Sequence, residues 1–567
     1  MEYLNFQEAN CQNCYKCIRT CKVKAIQLVN RQARIVPELC VGCGECLEIC
    51  PQNAKQVKSD LDYVKELIAS GVDITVSLAP SFPSYDNLDN PRKLITALKQ
   101  LGFNQIEETS IGAVSVSNYY KNDYQSTRQH IITSSCPTVN FLIQKYYAKY
   151  TKYLSKSISP MMAHNALIKR EDSTKKVVFI GPCISKKEET IIFKDELQRT
   201  DAVLTFDDLR IWFKEENIVP SEFEPTVFDK ESSLLTKWYP LSGGVEKATI
   251  DNEKTRRVIR IDGMENVIEF LDNLEDLGNP TFIEMNACKN GCINGFGNSN
   301  SPISTNKKVE NVIQYISSAS ENKNVYCHES LDVHFEYQTK ELLENSFSGK
   351  QIRDVLEKTG KFKEEDELNC GTCGYDTCKE KAIAVLKGMA ELEMCLPHMR
   401  DISEDLSSVI IENTPNGIIL ANRKYEIIEF NPSMASLLKI SKKDVLNKYI
   451  GDVLKDNVFL DLIEANSSTY ISKVELKHFD KVMIQSLKYI ENQELYLGIF
   501  KDITEAERNK EKLKVRSKNA LDMAQDVINK QMIVAHEIAH LLGETTAETK
   551  VTLSNLKKMF EENLTDE

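Results

Sequence analysis

The 567-residue chain has no run approaching ~18 consecutive apolar residues, the length a bilayer-crossing helix needs, so no membrane span is expected. Its first residues carry neither a basic flank nor an apolar stretch, so no secretory signal is expected there. Positive charge is also in short supply. Against 84 Asp and Glu stand 71 Lys and Arg, a formal net charge of −13. That balance argues against a general nucleic-acid or membrane-binding surface. No cysteine follows Cys395, so the last part of the chain is without thiol chemistry.

Before that point there are seventeen cysteines. Without a secretion signal they predict metal ligands in a reducing cytosol rather than disulfides, and hence a cytoplasmic protein. Sixteen fall into ligand sets, and Cys327 is left over as a plain thiol. Length predicts roughly three to five domains, each able to bury its own core. Cys11-x2-Cys14-x2-Cys17-x3-Cys21 is followed by Cys40-x2-Cys43-x2-Cys46-x3-Cys50-Pro51. This is the bacterial ferredoxin spacing written twice, in which the fourth cysteine of each run ligates the other cluster. One [4Fe–4S] cluster then takes Cys11, Cys14, Cys17 and Cys50, and the other takes Cys40, Cys43, Cys46 and Cys21. Lys22 stands where a proline is expected after the first run. Resemblance to ferredoxins implies two cubanes about 10 Å apart, an electron wire.

Four further cysteines lie far apart: Cys136 in TSSCP (133–137), Cys183 in GPCISKKEE (181–189), and Cys288 and Cys292 in EMNACKNGCINGFG (284–297). Four thiolates suit one cubane. Ala287, Gly291, Gly295 and Gly297 crowd the last pair, and glycine lets backbone approach a bulky inorganic group and offer it N–H donors. These stretches resemble the three signature motifs of the [FeFe]-hydrogenase catalytic domain, TSCCP, MPCxxKxxE and ExMACxxGCxxGGG. The match runs over about residues 74–340. The resemblance implies an H-cluster: a [4Fe–4S] cubane on these four cysteines, bridged through Cys292 to a di-iron subsite with CO, cyanide and azadithiolate. It places Lys186 as donor to one cyanide and Ser81, after Ala79 and Pro80, as donor to the second. Pro182 and Ser242, the latter in LSGGV (241–245), fall in further segments of the cofactor pocket.

The departures are as informative. The family's proton-shuttle cysteine is Ser135 here. A thiol titrates near ~8.5 and relays protons at neutral pH, whereas an alkoxide is far less accessible. The methionines of the second and third motifs are Gly181 and Asn286, Phe296 breaks the glycine triplet, and a glutamine near Pro160 is Met161. Along the relay the family's acidic pair and following acid align with Tyr119, Tyr120 and Asp123, while Ser155 and Glu189 match.

Elsewhere, 61–71 reads as an exposed linking helix, 73–79 as a buried strand, 92–101 as a helix and 177–180 as a strand running into Gly181. Motifs at strand ends predict a mostly parallel sheet with its site at the C-terminal edge. A closing helix is expected over 350–363. Cys370-x2-Cys373-x4-Cys378-x16-Cys395 resembles the small [4Fe–4S] domain of corrinoid iron–sulfur proteins, with Cys378 at a helix start whose dipole favours an anionic cluster; zinc is the alternative. Residues 406–504 resemble a PAS domain, with strands near 416–422, 427–430 and 496–502. No PAS cofactor is expected, since a lone His478 is more often a plain surface or core residue. In 511–542, Leu513, Ser517, Ala520, Ala524, Val527, Gln531, Val534, Ile538 and Leu541 step by four and three, an a/d seam for a parallel coiled coil. His536 and His540 fit HExxH and also a phosphoacceptor box, but too little chain follows for either domain, and a coiled coil is the better reading. A final helix is expected over 551–564.

The fold class expected is multidomain α/β and α+β: a two-[4Fe–4S] ferredoxin domain (1–58), an [FeFe]-hydrogenase catalytic domain (59–362), a small [4Fe–4S] domain (363–400), a PAS domain (401–505) and a helical or coiled-coil tail (506–567). Three functions compete: an H2-sensing hydrogenase of low turnover that relays redox state to its PAS module, a metabolic ferredoxin-linked hydrogenase, and an iron–sulfur assembly protein. Retained ligands, a lost shuttle and an appended signalling module favour the first. Its partners would be H2 and protons, a ferredoxin or other redox carrier, a second copy of the chain, and a downstream kinase, phosphatase or regulator.

Overall fold

The computed structural model describes residues 4–6, 10–127, 129–192, 200–250, 257–318, 331–342, 346–455, 469–491, 493–542 and 547–562. They fold as two compact units, Met1–Met399 and Arg400–Glu567.

The first unit begins with two small antiparallel pairs. β1 (Leu4–Phe6) pairs with β4 (Lys55–Val57), and β2 (Ile26–Val29) with β3 (Gln32–Ile35). Each cysteine run supplies one short helix, Lys16–Thr20 and Glu45–Glu48. Both are entered through left-handed residues, Tyr15 at φ 55° and Gly44 at φ 88°, which turn the ligand loops back on themselves.

The next part contains two parallel sheets where one was expected. The first has the order β6-β5-β8-β9, from Gln105–Glu108, Ile74–Leu78, Lys176–Gly181 and Ala202–Thr205. β5 is buried at every position, as a strand covered on both faces must be. The second has the order β10-β11-β7, from Arg257–Asp262, Thr281–Asn286 and Ile131–Ile132. β7 pairs through only two residues, too few to leave a periodicity in the sequence.

Two helices differ from expectation. The linking helix spans Leu61–Ala69 and is not simply exposed, because Leu61 and Val64 are buried in the core beneath β5. Their spacing places both on one helical face. The closing helix is Gly349–Lys358, opened by a Ser348–Gln351 capping box, and Gly360 at φ 74° turns the chain away before 363.

The second unit holds a five-stranded antiparallel sheet, order β13-β12-β16-β15-β14, from Ile427–Phe430, Gly417–Ala421, Leu495–Asp502, Lys481–Ile490 and Thr469–Leu476. Ile419, Phe430, Met434, Leu487 and Phe500 fill its core. Asn431 accepts the N–H groups of Ile418 and Met434, fixing strand to helix. His478 is exposed on a short turn. The tail helix spans Thr504–Leu542, starting directly after β16 rather than at 511, and a second helix covers Ala547–Glu562. Leu513, Val527, Val534 and Ile538 of the expected seam are exposed.

The helices Ser110–Ser126 and Pro160–Glu171 cross at Gly112, where a Cβ would lie 2.3 Å from the Pro160 carbonyl oxygen and 2.4 Å from the His164 nitrogen. Backbone cannot yield cheaply there. Gly112→Ala should therefore lower stability by about 3 kcal/mol, the upper end of overpacking costs. Gly278→Ala, with nothing within 4 Å of the added carbon, should stay within about 0.5 kcal/mol. Thermal unfolding midpoints of the two variants check this, and equal midpoints would refute it.

Candidate active site

Each of the three dispersed cysteine stretches leaves the C-terminal end of a parallel strand, and the two sheets share the task. β8 delivers Cys183, just before the helix Ser185–Ile192. β7 delivers Cys136 at the start of the helix Pro137–Tyr146, and β11 delivers Cys288 and then Cys292. The helices after Cys136 and Cys183 are joined by a 2.6 Å bond between the Thr138 and Ser185 hydroxyls. The N–H of Cys292 donates to the Pro240 carbonyl at 2.8 Å, which ties the last ligand to the loop before Ser242.

The four sulfurs are near enough to feel one another's charge. Burial pushes the Cys183 thiol up to about 11 and raises Cys288 and Cys292 further. Cys288 is also raised by the charges of Cys183, Cys136 and Cys292, and Cys292 by those of Cys136 and Cys183. Such sulfurs cannot ionise unaided at neutral pH. They fit an iron–sulfur group, whose cationic irons hold thiolates in place. Lys186 acts in the same direction on Cys183 and Cys292.

The glycines of the third motif have a different use from the one expected. A Cβ at Gly291 would lie 2.4 Å from the Pro240 oxygen, and one at Gly295 equally close to the Pro182 oxygen. The Gly297 N–H donates to Pro182 at 2.8 Å. They make room for neighbouring backbone, so Pro182 serves as an acceptor that closes the motifs on each other. Gly181 is likewise forced. Its Cβ would meet Ala79 Cβ at 2.9 Å and the Phe179 ring at 2.8 Å, so no methionine fits there. Phe296 packs its ring where a Cβ on Gly44 would sit, 2.6 Å away, and thereby seats the loop beside Cys43 against the third motif.

Ala79 and Ser81 are buried at the end of β5, with the Ala79 N–H on the Ile180 carbonyl and Pro80 between them. Ser242 is exposed on a cleft of about 1240 Å³ lined also by Lys121, Glu246 and Arg260. Sequence reading passed over Glu284, the acid four residues before Cys288. It is buried and accepts the N–H groups of Gly243 and Glu246, each at 2.8 Å, and burial pushes its carboxyl up to about 7.

The expected proton relay is divided. Tyr120 is fully buried, accepts the Ser134 N–H at 2.9 Å and shares a 3.1 Å hydrogen bond with the Ser134 hydroxyl. Burial raises its phenol above the ordinary value. The Ser155 hydroxyl donates to Asp123 at 2.7 Å, and burial raises that carboxyl. Glu189, expected on the same route, is instead held by the Lys186 ammonium at 2.7 Å. Lys186 thus has an anionic side-chain partner already.

In the N-terminal module, Cys21 acts on Cys43 and Cys46, and Cys40 on Cys21 and Cys46. Cys17, of the other expected set, acts on Cys46 as well. Buried Lys55 is raised by Cys17, Cys46 and Cys50. Lys22 pairs with Glu265 at 3.1 Å, so the replaced proline contributes an ion pair. Cys370, Cys373, Cys378 and Cys395 line one small cavity, and the Lys361 ammonium reaches Cys395 Sγ at 3.3 Å. Cys327 and the side chain of His540 lie outside the described residues.

Comparison with known proteins agrees with this arrangement. The family model for the iron only hydrogenase large subunit, C-terminal domain, matches residues 68–296. A 4Fe-4S dicluster domain matches 3–51, an Fe–S cluster domain 366–397 and the PAS fold 406–471. Iron hydrogenase 1 of Clostridium pasteurianum is 24% identical over 369 residues, 52% of this chain and 64% of that protein. One component of an ion-translocating oxidoreductase complex from Methanosarcina acetivorans is 39% identical over 51 residues, 9% of this chain and 19% of that one. The chain thus spans less than two thirds of the length of these relatives. Among solved structures, a Chlamydomonas reinhardtii [FeFe]-hydrogenase has a TM-score of 0.40 at 16% identity, covering 50% of this chain and all of that one. Residues 68–296 form an iron-only hydrogenase domain, and the chain joins it to dicluster ferredoxin, iron–sulfur and PAS modules.

Proposed function

We propose that the protein is a hydrogen-sensing [FeFe]-hydrogenase of low turnover that passes redox state from its hydrogenase domain through iron–sulfur clusters to the PAS module. The observation that carries this reading is the pairing of a complete, mutually charged set of cysteines with a proton exit built from hydroxyls. An H-cluster held by Cys136, Cys183, Cys288 and Cys292 supplies, when bound, the splitting of H2 into protons and electrons. The rest falls to the chain's own residues. Ser81 and Lys186 would donate to polar ligands of the di-iron subsite, with Lys186 shared with Glu189. Ser135 receives the proton, and Tyr120 is its next partner. Neither group ionises near neutral pH, and burial pushes Tyr120 further from it. A proton can still hop along the hydroxyls, but no member of that stretch holds one at equilibrium, so exit is slow. Ser155 and Asp123 form the outer part. Slow exit prolongs each redox state, which suits a sensor better than a metabolic enzyme.

Electrons leave through the N-terminal clusters, whose exposed Cys14 faces solvent, where a ferredoxin-type carrier can exchange them. The exposed seam residues Leu513, Val527, Val534 and Ile538 support a homodimer through the tail helix. Its effector would be a kinase, phosphatase or other regulator.

Infrared spectra of anaerobically matured protein test the reading directly. CO and cyanide bands that shift between argon and H2 are expected. Absence of bands after competent maturation would move the iron–sulfur assembly reading to first place. Ser135→Cys should raise H2-driven dye reduction by about 10- to 100-fold, part of the range a well-placed acid–base group contributes. It should fall short of full recovery, because Tyr120 still follows in the relay, and full recovery by that change alone would show Tyr120 to be irrelevant. Light scattering at micromolar concentration should give a dimer, and a monomer there would refute the coiled-coil assignment.

A further inference from the structure

The cysteine quartet near residue 400 is separated from the N-terminal module by the whole hydrogenase domain in sequence, yet the two are packed together. Gly374, at φ 94°, lies so close to the helix Lys16–Thr20 that an added Cβ would sit 2.8 Å from Ile18 Cγ2 and 3.1 Å from the Arg19 nitrogen. Four hydrogen bonds pin the seat. Arg19 Nη1 donates to the Thr372 carbonyl at 3.0 Å, Lys24 Nζ to Gly374 at 2.7 Å, Gln27 Nε2 to Gly388 at 2.7 Å, and the Leu28 N–H to Met389 at 2.9 Å. Ile18, Cys21 and Leu28 share one apolar cluster with Tyr375, Ala390 and Met394. Tyr375 is 4% exposed.

The same N-terminal cysteine set faces the hydrogenase site on another side. Cys43 packs in one apolar cluster with Cys136 and Ala287, the neighbour of Cys288. The Ser185 hydroxyl, two residues from Cys183, donates to the Gly42 carbonyl at 2.7 Å. Phe296 fills the space over Gly44.

We propose that the site formed by Cys40, Cys43, Cys46 and Cys21 is an electron junction, with one arm to the hydrogenase cysteines through Cys43 and Cys288 and a separate arm through Cys21 and Tyr375 to a cluster on Cys370, Cys373, Cys378 and Cys395. The quartet is then a side branch off the wire rather than an isolated structural site. One H2 gives two protons and two electrons. One electron takes the quartet's [4Fe–4S] cluster from 2+ to 1+, the second takes an N-terminal cluster from 2+ to 1+, and both protons pass to water. The branch ends where a signal must start. Cys395 immediately precedes the helix Leu396–Asn413, which continues into the second unit. The added negative charge falls beside Lys361, which already bonds Cys395. This inference rests on the hydrogen-sensing reading for the source of the electrons, and not for the geometry of the branch.

The test uses the full chain reconstituted with iron and sulfide, reduced with dithionite, and followed by electron paramagnetic resonance. Magnetic interaction between neighbouring clusters should broaden the wild-type signal and raise its half-saturation power. In Cys370→Ser/Cys373→Ser that power should fall several-fold, with only the quartet's iron lost. Gly374→Val should uncouple the signals with iron content unchanged. If that variant loads poorly, Arg19→Ala/Lys24→Ala loosens the same seat without touching a ligand loop and should lower the coupling. A wild-type spectrum equal to the sum of uncoupled clusters, or a half-saturation power unmoved by removal of the quartet, would overturn the branch. H2 replaces dithionite in a second experiment on matured protein. Coupled signals with dithionite but none with H2 would leave the branch standing and remove the hydrogen reading instead.

Discussion

The arrangement depends on the cost of burying sulfur. At Cys183, Cys288 and Cys292, half-buried at the strand ends of the hydrogenase domain, desolvation and the charges of the other sulfurs oppose ionisation. A thiolate there needs a cation, and one lysine is too little for four sulfurs. A metal group would supply that charge, and its loading would then be coupled to local folding. Strand ends from two sheets, the hydroxyl tie between Thr138 and Ser185 and the backbone contacts of Gly291 and Gly295 hold the sulfurs in place despite that cost.

Around this fixed centre the proton side is built differently. Ser134 and Tyr120 form a buried hydroxyl pair next to the half-buried Ser135. Asp123 keeps an acid at the outer end, and Glu189 is drawn to Lys186. Ligand retention and proton delivery are thus separable properties, because one is set by cysteine spacing and the other by the polarity of side chains on one helix and one loop.

Much of this was legible in the sequence. Cysteine spacing is a covalent constraint on ligand geometry, and the iron–sulfur and hydrogenase character it predicts agrees with the family matches over 3–51, 68–296 and 366–397. The strands at 74–78, 176–181 and 427–430 are rich in apolar and β-branched residues, and they formed. What could not be read was local geometry between distant segments. The second parallel sheet begins with a two-residue strand. The glycines of the third motif looked like cluster contacts, yet they face the Pro182 and Pro240 carbonyls. Glu284 stands first in the third motif, yet its role as an acceptor shows only in its burial and its two backbone donors. The linking helix hides one face because Leu61 and Val64 meet partners that lie far along the chain.

Phe296 began as a defect in a glycine pattern and became a contact with Gly44. That contact makes the two domains keyed parts rather than interchangeable ones. A side chain at position 44 would collide with the ring and would also have to adopt a positive φ. A hydrogenase domain stripped of its first residues would present a bare aromatic ring at the surface beside its cluster, and the Ser185 hydroxyl would lose its Gly42 acceptor. Modules that a sequence draws as beads on a string here share a joint, and exchanging one for a homologue would require changing residues in both.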